Sequence, residues 1–112
     1  MEIKSEIRFV DEKLKQAYIQ LDNGKYQQKE LKKWLERAFI DIEKNAFCGL
    51  QVSKRLIPKE YELKYGPLEN LWKYDLPNAW RLIYTIKKDR ILVLSILLEW
   101  MNHKDYEKRF GY

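Results

Sequence analysis

Three observations predict an α+β fold for this chain of 112 residues. Two amphipathic helical stretches lie in its first half, three alternating or apolar strand-like stretches lie in its second half, and a short strand-like stretch precedes them all. Strands and helices segregated in this way pack as a helical layer on a largely antiparallel sheet, rather than as repeated strand–helix–strand units. A hydrophobic content of 46% supplies enough apolar surface for one core, and the length predicts one domain spanning 1–112.

"EIRFV" alternates apolar and polar residues, several of them β-branched or aromatic, which predicts a first strand from about Ile3 to Val10. Asp11 suits a helix N-cap. Leu14, Ala17, Tyr18 and Leu21 then recur at helical spacing until Asn23-Gly24 ends the run. Leu31, Trp34, Leu35, Ala38, Phe39 and Ile42 form the most regular stripe in the chain and predict a second helix, antiparallel to the first. The segment from Phe47 to Leu71 has two prolines and two glycines and no sustained period, so it reads as a long irregular connection. "LWKYDL", "WRLIYTI" and "ILVLSILLEW", separated by "PN" and "KKDR", predict a three-stranded antiparallel meander. A short helical segment closes the chain. In this arrangement the helical hairpin, through Trp34, Phe39 and Ile42, covers one face of the sheet and the other face stays open.

Several chemistries have no support in the composition. One cysteine, Cys48, and one histidine, His103, make neither a disulfide nor a metal cluster, and no cofactor motif is present. Cys48 reads as an ordinary loop or buried thiol. No stretch reaches the roughly 18 apolar residues of a membrane span, and "MEIKSEIRF" carries no apolar signal region, which predicts a cytoplasmic protein without a membrane partner. The net charge is +5, and it is uneven: residues 1–46 carry +1 and residues 47–112 carry +4. A basic second half predicts an anionic partner.

The order of "SKRLIPKEYELKYG", "WRLIYTI", "ILVLSILLEW" and "NHKDYEKR" resembles the RelE/ParE toxin superfamily, most of all its RelE-like messenger-RNA interferases. That resemblance implies a toxin of a type II toxin-antitoxin system: a metal-independent, ribosome-dependent endoribonuclease cleaving mRNA by attack of the 2′-hydroxyl on the adjacent phosphate. It also implies a cognate antitoxin, contacts with ribosome and mRNA, and room for a homodimer. Carried onto the matching positions, it implies Arg81, His103 and Tyr106 as catalytic residues. Arg81 would fork onto a phosphate, His103 would exchange a proton near neutrality, and Tyr106 would stack on a base or lose its proton. Lys54, Arg55, Lys59, Lys73, Lys104, Lys108 and Arg109 are the RNA-binding candidates. Trp72, Trp100 and Phe110 are the expected antitoxin anchors.

Each residue also has a plainer role open to it. Arg81 would pair with Asp75 or Glu99, His103 would be a surface histidine, Tyr106 would pack on the sheet, and the lysines would be solvated. "LLEWMN", with Glu99, departs from the family's habit of placing a further cation directly after the last strand; Lys104 is the nearest substitute. The alternatives are a ParE-like inhibitor of DNA gyrase on the same fold, acting by binding, or a RelE-fold binding protein without activity.

Overall fold

The computed structural model describes residues 2–111. Strand β1 (Glu6–Phe9) leads into α1 (Glu12–Gln20), α2 (Tyr26–Lys44), the two-residue strand β2 (Leu50–Gln51) and α3 (Lys59–Tyr65); β3 (Trp72–Asp75), β4 (Arg81–Asp89), β5 (Leu92–Met101) and α4 (His103–Phe110) follow. The α+β class and the helical hairpin are as the sequence predicts. Asp11 caps α1 by accepting from the Leu14 N–H at 2.8 Å, and the Gln28 side chain accepts from the Lys25 N–H at the start of α2.

The sheet differs from the expected meander. It has five strands in the order β1-β5-β4-β3-β2, and it is mixed: β1 runs parallel to β5, while the other neighbours are antiparallel. The helical hairpin between β1 and the later strands makes this pairing feasible, because parallel neighbours need a long connection. Strand β1 is also shorter than its predicted span. β2, inside the stretch read as irregular, extends the sheet beyond β3. Gly49 permits that approach, since a Cβ there would sit 2.5 Å from the Lys73 carbonyl oxygen and 2.8 Å from Tyr84 Oη.

Both faces of the sheet are covered. Leu31, Leu35, Ala38 and Ile42 of α2 pack against Leu82, Tyr84 and Leu97 of β4 and β5, with Trp34 and Phe39 at the margin of that core. On the opposite face Ile83, Leu98 and Met101 meet Tyr61 of α3 and Tyr106 and Phe110 of α4. The expectation of an open second face is therefore corrected. Its cover comes from isolated apolar residues in α3, the adjoining loop and the tail, none of which forms a long stripe.

A β-bulge decides where Glu99 points. Ile83 pairs with Glu99 but Tyr84 pairs with Leu97, so Leu98 is the extra residue. Leu98 and Glu99 consequently turn to the same face: Leu98 into the core beneath α4, and Glu99 to Arg109 of α4. On an unbulged strand Glu99 would share the α2 side with Leu97.

Candidate functional site

Where β3 meets β4, Asp75 stands opposite Arg81, and Lys73 shares a face of β3 with Asp75. Arg81 Nε lies 2.9 Å and Lys73 Nζ 3.3 Å from Asp75 Oδ1, so two cations share one carboxylate. The contact with Arg81 is an ion pair without the alignment of a hydrogen bond, and Nη1 of the same guanidinium donates to the Trp80 carbonyl at 3.4 Å. The Tyr106 ring forms the floor. Its centroid is 5.0 Å from the Arg81 guanidinium carbon and 5.4 Å from Lys73 Nζ, both within cation–π reach. Asp75 is half-exposed whereas Arg81 is only 15% exposed, so the cluster is a mostly covered cationic seat with an open acidic edge.

Helix α4 sorts its side chains into two stripes. Tyr106 is buried and stacks on Phe110, four residues on, at 4.6 Å between ring centroids. His103 instead points Nε2 at Glu107 Oε1, 2.9 Å away, and both side chains are about half-exposed. Residues three apart on a helix lie about 60° apart around its axis, and the boundary of burial falls between these two. The structure thus brings Tyr106 to Arg81 and directs His103 to Glu107. Phe110, expected as an exposed anchor, is core; Trp72 is half-buried and stacks on Phe47, and Trp100 is half-buried against the α2 core.

The basic candidates divide in the same way. Arg109 donates through Nη1 to both oxygens of Glu99, at 2.9 and 2.8 Å, and its Nε lies 3.2 Å from Glu60, so this cation ties α4 to β5 and α3. Glu99 also faces the buried Tyr61; burial first, and then that carboxylate, drive the Tyr61 hydroxyl far above its ordinary ionisation range. Lys54 and Arg55 in the turn Lys54–Leu56, Lys59 at the start of α3, and Lys104 and Lys108 on α4 are exposed and form no ion pair among the described residues. Cys48, at the end of the turn Ala46–Cys48, is largely exposed, and the partial cover of its thiol pushes its ionisation up, the opposite of an activated nucleophile.

Sequence reasoning missed the parts played by Glu99 and Tyr61. The bulge that aims Glu99 has no sequence signature here, and Tyr61 is one buried residue in a seven-residue helix. It also missed a groove lined by Tyr26, Trp34 and Trp80. Its only signal was the spacing of Tyr26, Glu30 and Trp34 at four-residue intervals along one helix face.

The described residues thus form a five-stranded sheet with helices on both faces, a cationic seat above the tail tyrosine and a set of exposed cations without ion pairs. Residues 10–101 match the family of ParE toxins of type II toxin-antitoxin systems, parDE, and the chain belongs to that family. Comparison with curated proteins and with solved structures gives no match. The chain is thus the toxin of a type II toxin-antitoxin system, and a cognate antitoxin is its implied partner. The expectation of a metal-independent endoribonuclease is corrected by this match, which points to a ParE-like toxin.

Proposed function

We propose that this toxin acts by binding and inhibiting DNA gyrase, without nuclease chemistry of its own. The membership of residues 10–101 in the ParE family carries the reading. The geometry is consistent with binding: Arg81 and Lys73 are held by Asp75 and the Tyr106 ring, and His103 is engaged by Glu107 on its own helix. On this reading gyrase takes the place of ribosome and mRNA as the target, and the cytoplasm is the place of action. The exposed cations Lys54, Arg55, Lys59, Lys104 and Lys108 then serve as a dispersed contact surface for an acidic face of the target, where each contributes to encounter more than to a unique fit.

Purified toxin in a gyrase supercoiling assay, beside an mRNA-cleavage assay in a translation mixture, tests the proposal. The expected result is loss of supercoiling with intact mRNA. Cleaved mRNA with supercoiling unimpaired would overturn it.

A further inference from the structure

Strands β4 and β5 outrun their neighbours. The ladder from β3 reaches only Tyr84, and β1 joins β5 only from Leu94 onward. Asn70 closes the gap beside Ile86, donating through Nδ2 to its carbonyl and accepting from its N–H, each at 2.8 Å. Past that limit the pairs Lys88–Val93 and Asp89–Leu92 have no strand on either side. Residues 88–93, with Lys87 at their base, therefore project as a two-stranded ribbon that turns at Arg90-Ile91.

The ribbon is rich in uncompensated charge. Lys87, Lys88 and Arg90 are exposed and form no ion pair among the described residues, whereas Lys32, Lys33 and Arg37 on α2 are each paired. Asp89, the one carboxylate of this stretch, accepts from the Arg90 N–H at 2.9 Å and so serves the turn. Lys4 lines an outer hollow with Ile91, and Glu6, which shares that hollow, is paired with Arg8. Glu69 lines a hollow at the base with Lys87 and Lys88, without an ion pair to either. At the apex Ile91 is 92% exposed, more than any other large apolar side chain among the described residues. Two-residue hairpin turns select glycine or asparagine, so turn formation does not account for the Arg90-Ile91 pair.

Successive strand residues point to opposite faces. Ile86 packs on the α2 core, Lys88 continues that face, and Lys87 takes the other. Cations thus flank a thin ribbon on both sides, with a third cation and an apolar side chain at its end. A flat acidic patch on a protein would meet one face of the ribbon, whereas a groove between two rows of phosphates meets both. The major groove of B-form DNA is about 12 Å wide, admits a two-stranded ribbon, and presents thymine methyl groups to an apolar tip.

We propose that the β4–β5 tip binds duplex DNA in the major groove. Lys87 and Lys88 reach the two flanking phosphate rows, Arg90 the phosphates nearest the tip, and Ile91 lies against thymine methyl groups. Helix α4, with Lys104 and Lys108, follows the opposite end of β5, roughly 30 Å away along the strand, so these two sets of cations serve different partners. The inference does not rest on gyrase as target, because DNA is bound here by this chain alone.

Fluorescence anisotropy of the full chain with a labelled, A·T-rich DNA duplex tests this. Affinity should fall with salt at a log–log slope of about −3, as three phosphate contacts require. Lys87→Gln and Lys88→Gln should each reduce that slope by about 1, while Lys13→Gln/Lys15→Gln, at the start of α1, should leave it unchanged. Replacing thymine with deoxyuridine should weaken the parent about 3-fold, the worth of one buried methyl group, and leave Ile91→Ala unaffected. An RNA duplex of matching sequence, whose major groove is deep and narrow, should bind less well. All the substituted positions are exposed, and melting curves confirm that each variant is folded. No binding at low salt, an unchanged slope in the ribbon variants, an equal loss in the Lys13/Lys15 variant, or equal binding of the RNA duplex would overturn the proposal. So would ribbon variants that bind DNA as the parent does but lose affinity for purified gyrase, which would make an acidic protein face the partner of the tip.

Discussion

The guanidinium carbon of Arg81, at the first residue of β4, lies 5.0 Å from the ring centroid of Tyr106 on α4, so the C-terminal helix and the sheet meet through a cation on a ring. Lys73 approaches the same ring, and Phe110 stacks beside it. Tyr106 is therefore a packing hub as well as part of the cationic seat. Tyr106→Ala should destabilise the domain by about 3 kcal/mol, the range for deleting a buried aromatic ring. Urea denaturation checks this, and a loss below about 1 kcal/mol would mean that α4 contributes little to the fold.

Arg109 holds α4 from the other side. Replacing it with methionine leaves Glu99, whose side chain is 21% exposed, facing the buried Tyr61 without its cation. Removing one member of a largely covered pair costs more than removing both, because the remaining charge keeps its desolvation penalty. Arg109→Met should cost about 2 kcal/mol, and the double variant Glu99→Met/Arg109→Met should recover part of that loss. A double variant less stable than the single one would show that Glu99 carries no desolvation penalty when its cation is gone.

How much of this was legible in the sequence follows from element length and from what each side chain faces. Helix α2 was readable because 19 residues allow its apolar stripe to repeat, and β4 and β5 because burial on both faces leaves long apolar runs. Helix α3 has seven residues and one buried side chain, Tyr61, too few to display a period. The cover of the second sheet face was hidden for the same reason. Tyr106 and Arg81 were rightly expected to meet; His103 was expected to join them, but three residues of helix rotate it to the exposed stripe, where Glu107 engages it. Glu99, read as a departure from the family pattern, is turned toward Arg109 by the bulge at Leu98.

Alkaline pH should destabilise the protein. Tyr65 and Tyr74 are pushed up to about 12, in each case by burial first, with the Glu99 charge adding to Tyr65 and the hydrogen bond to Asp41 adding to Tyr74. Tyr61 and Tyr84 are pushed further in the same direction, again chiefly by burial. In the unfolded chain tyrosine ionises near 10, so the folded state keeps protons that the unfolded state has lost. The stability linked to these groups is complete below about pH 10 and declines as pH rises from there through 12. Melting temperature should fall across that window, and tyrosinate absorbance in the native protein should lag behind that in denaturant. Coincident titration curves would contradict the burial of these hydroxyls.

The turn before β4 should accept a stabilising glycine. Asn78 and Ala79 occupy its two central positions, and it closes when the Trp80 N–H donates to the Pro77 carbonyl at 3.3 Å. A β-carbon at positive φ crowds the backbone and costs roughly 1–2 kcal/mol, which glycine avoids at the expense of somewhat greater unfolded-state entropy. Asn-Gly is also the favoured pair where both central residues need positive φ. Ala79→Gly should therefore raise stability by about 0.5–1 kcal/mol and the melting temperature by a few degrees, while Ala79→Val should lower both. Since Ala79 is exposed, no packing loss offsets the gain. A glycine variant that melts lower than the parent would mean that the alanine methyl makes a contact worth more than the relieved strain.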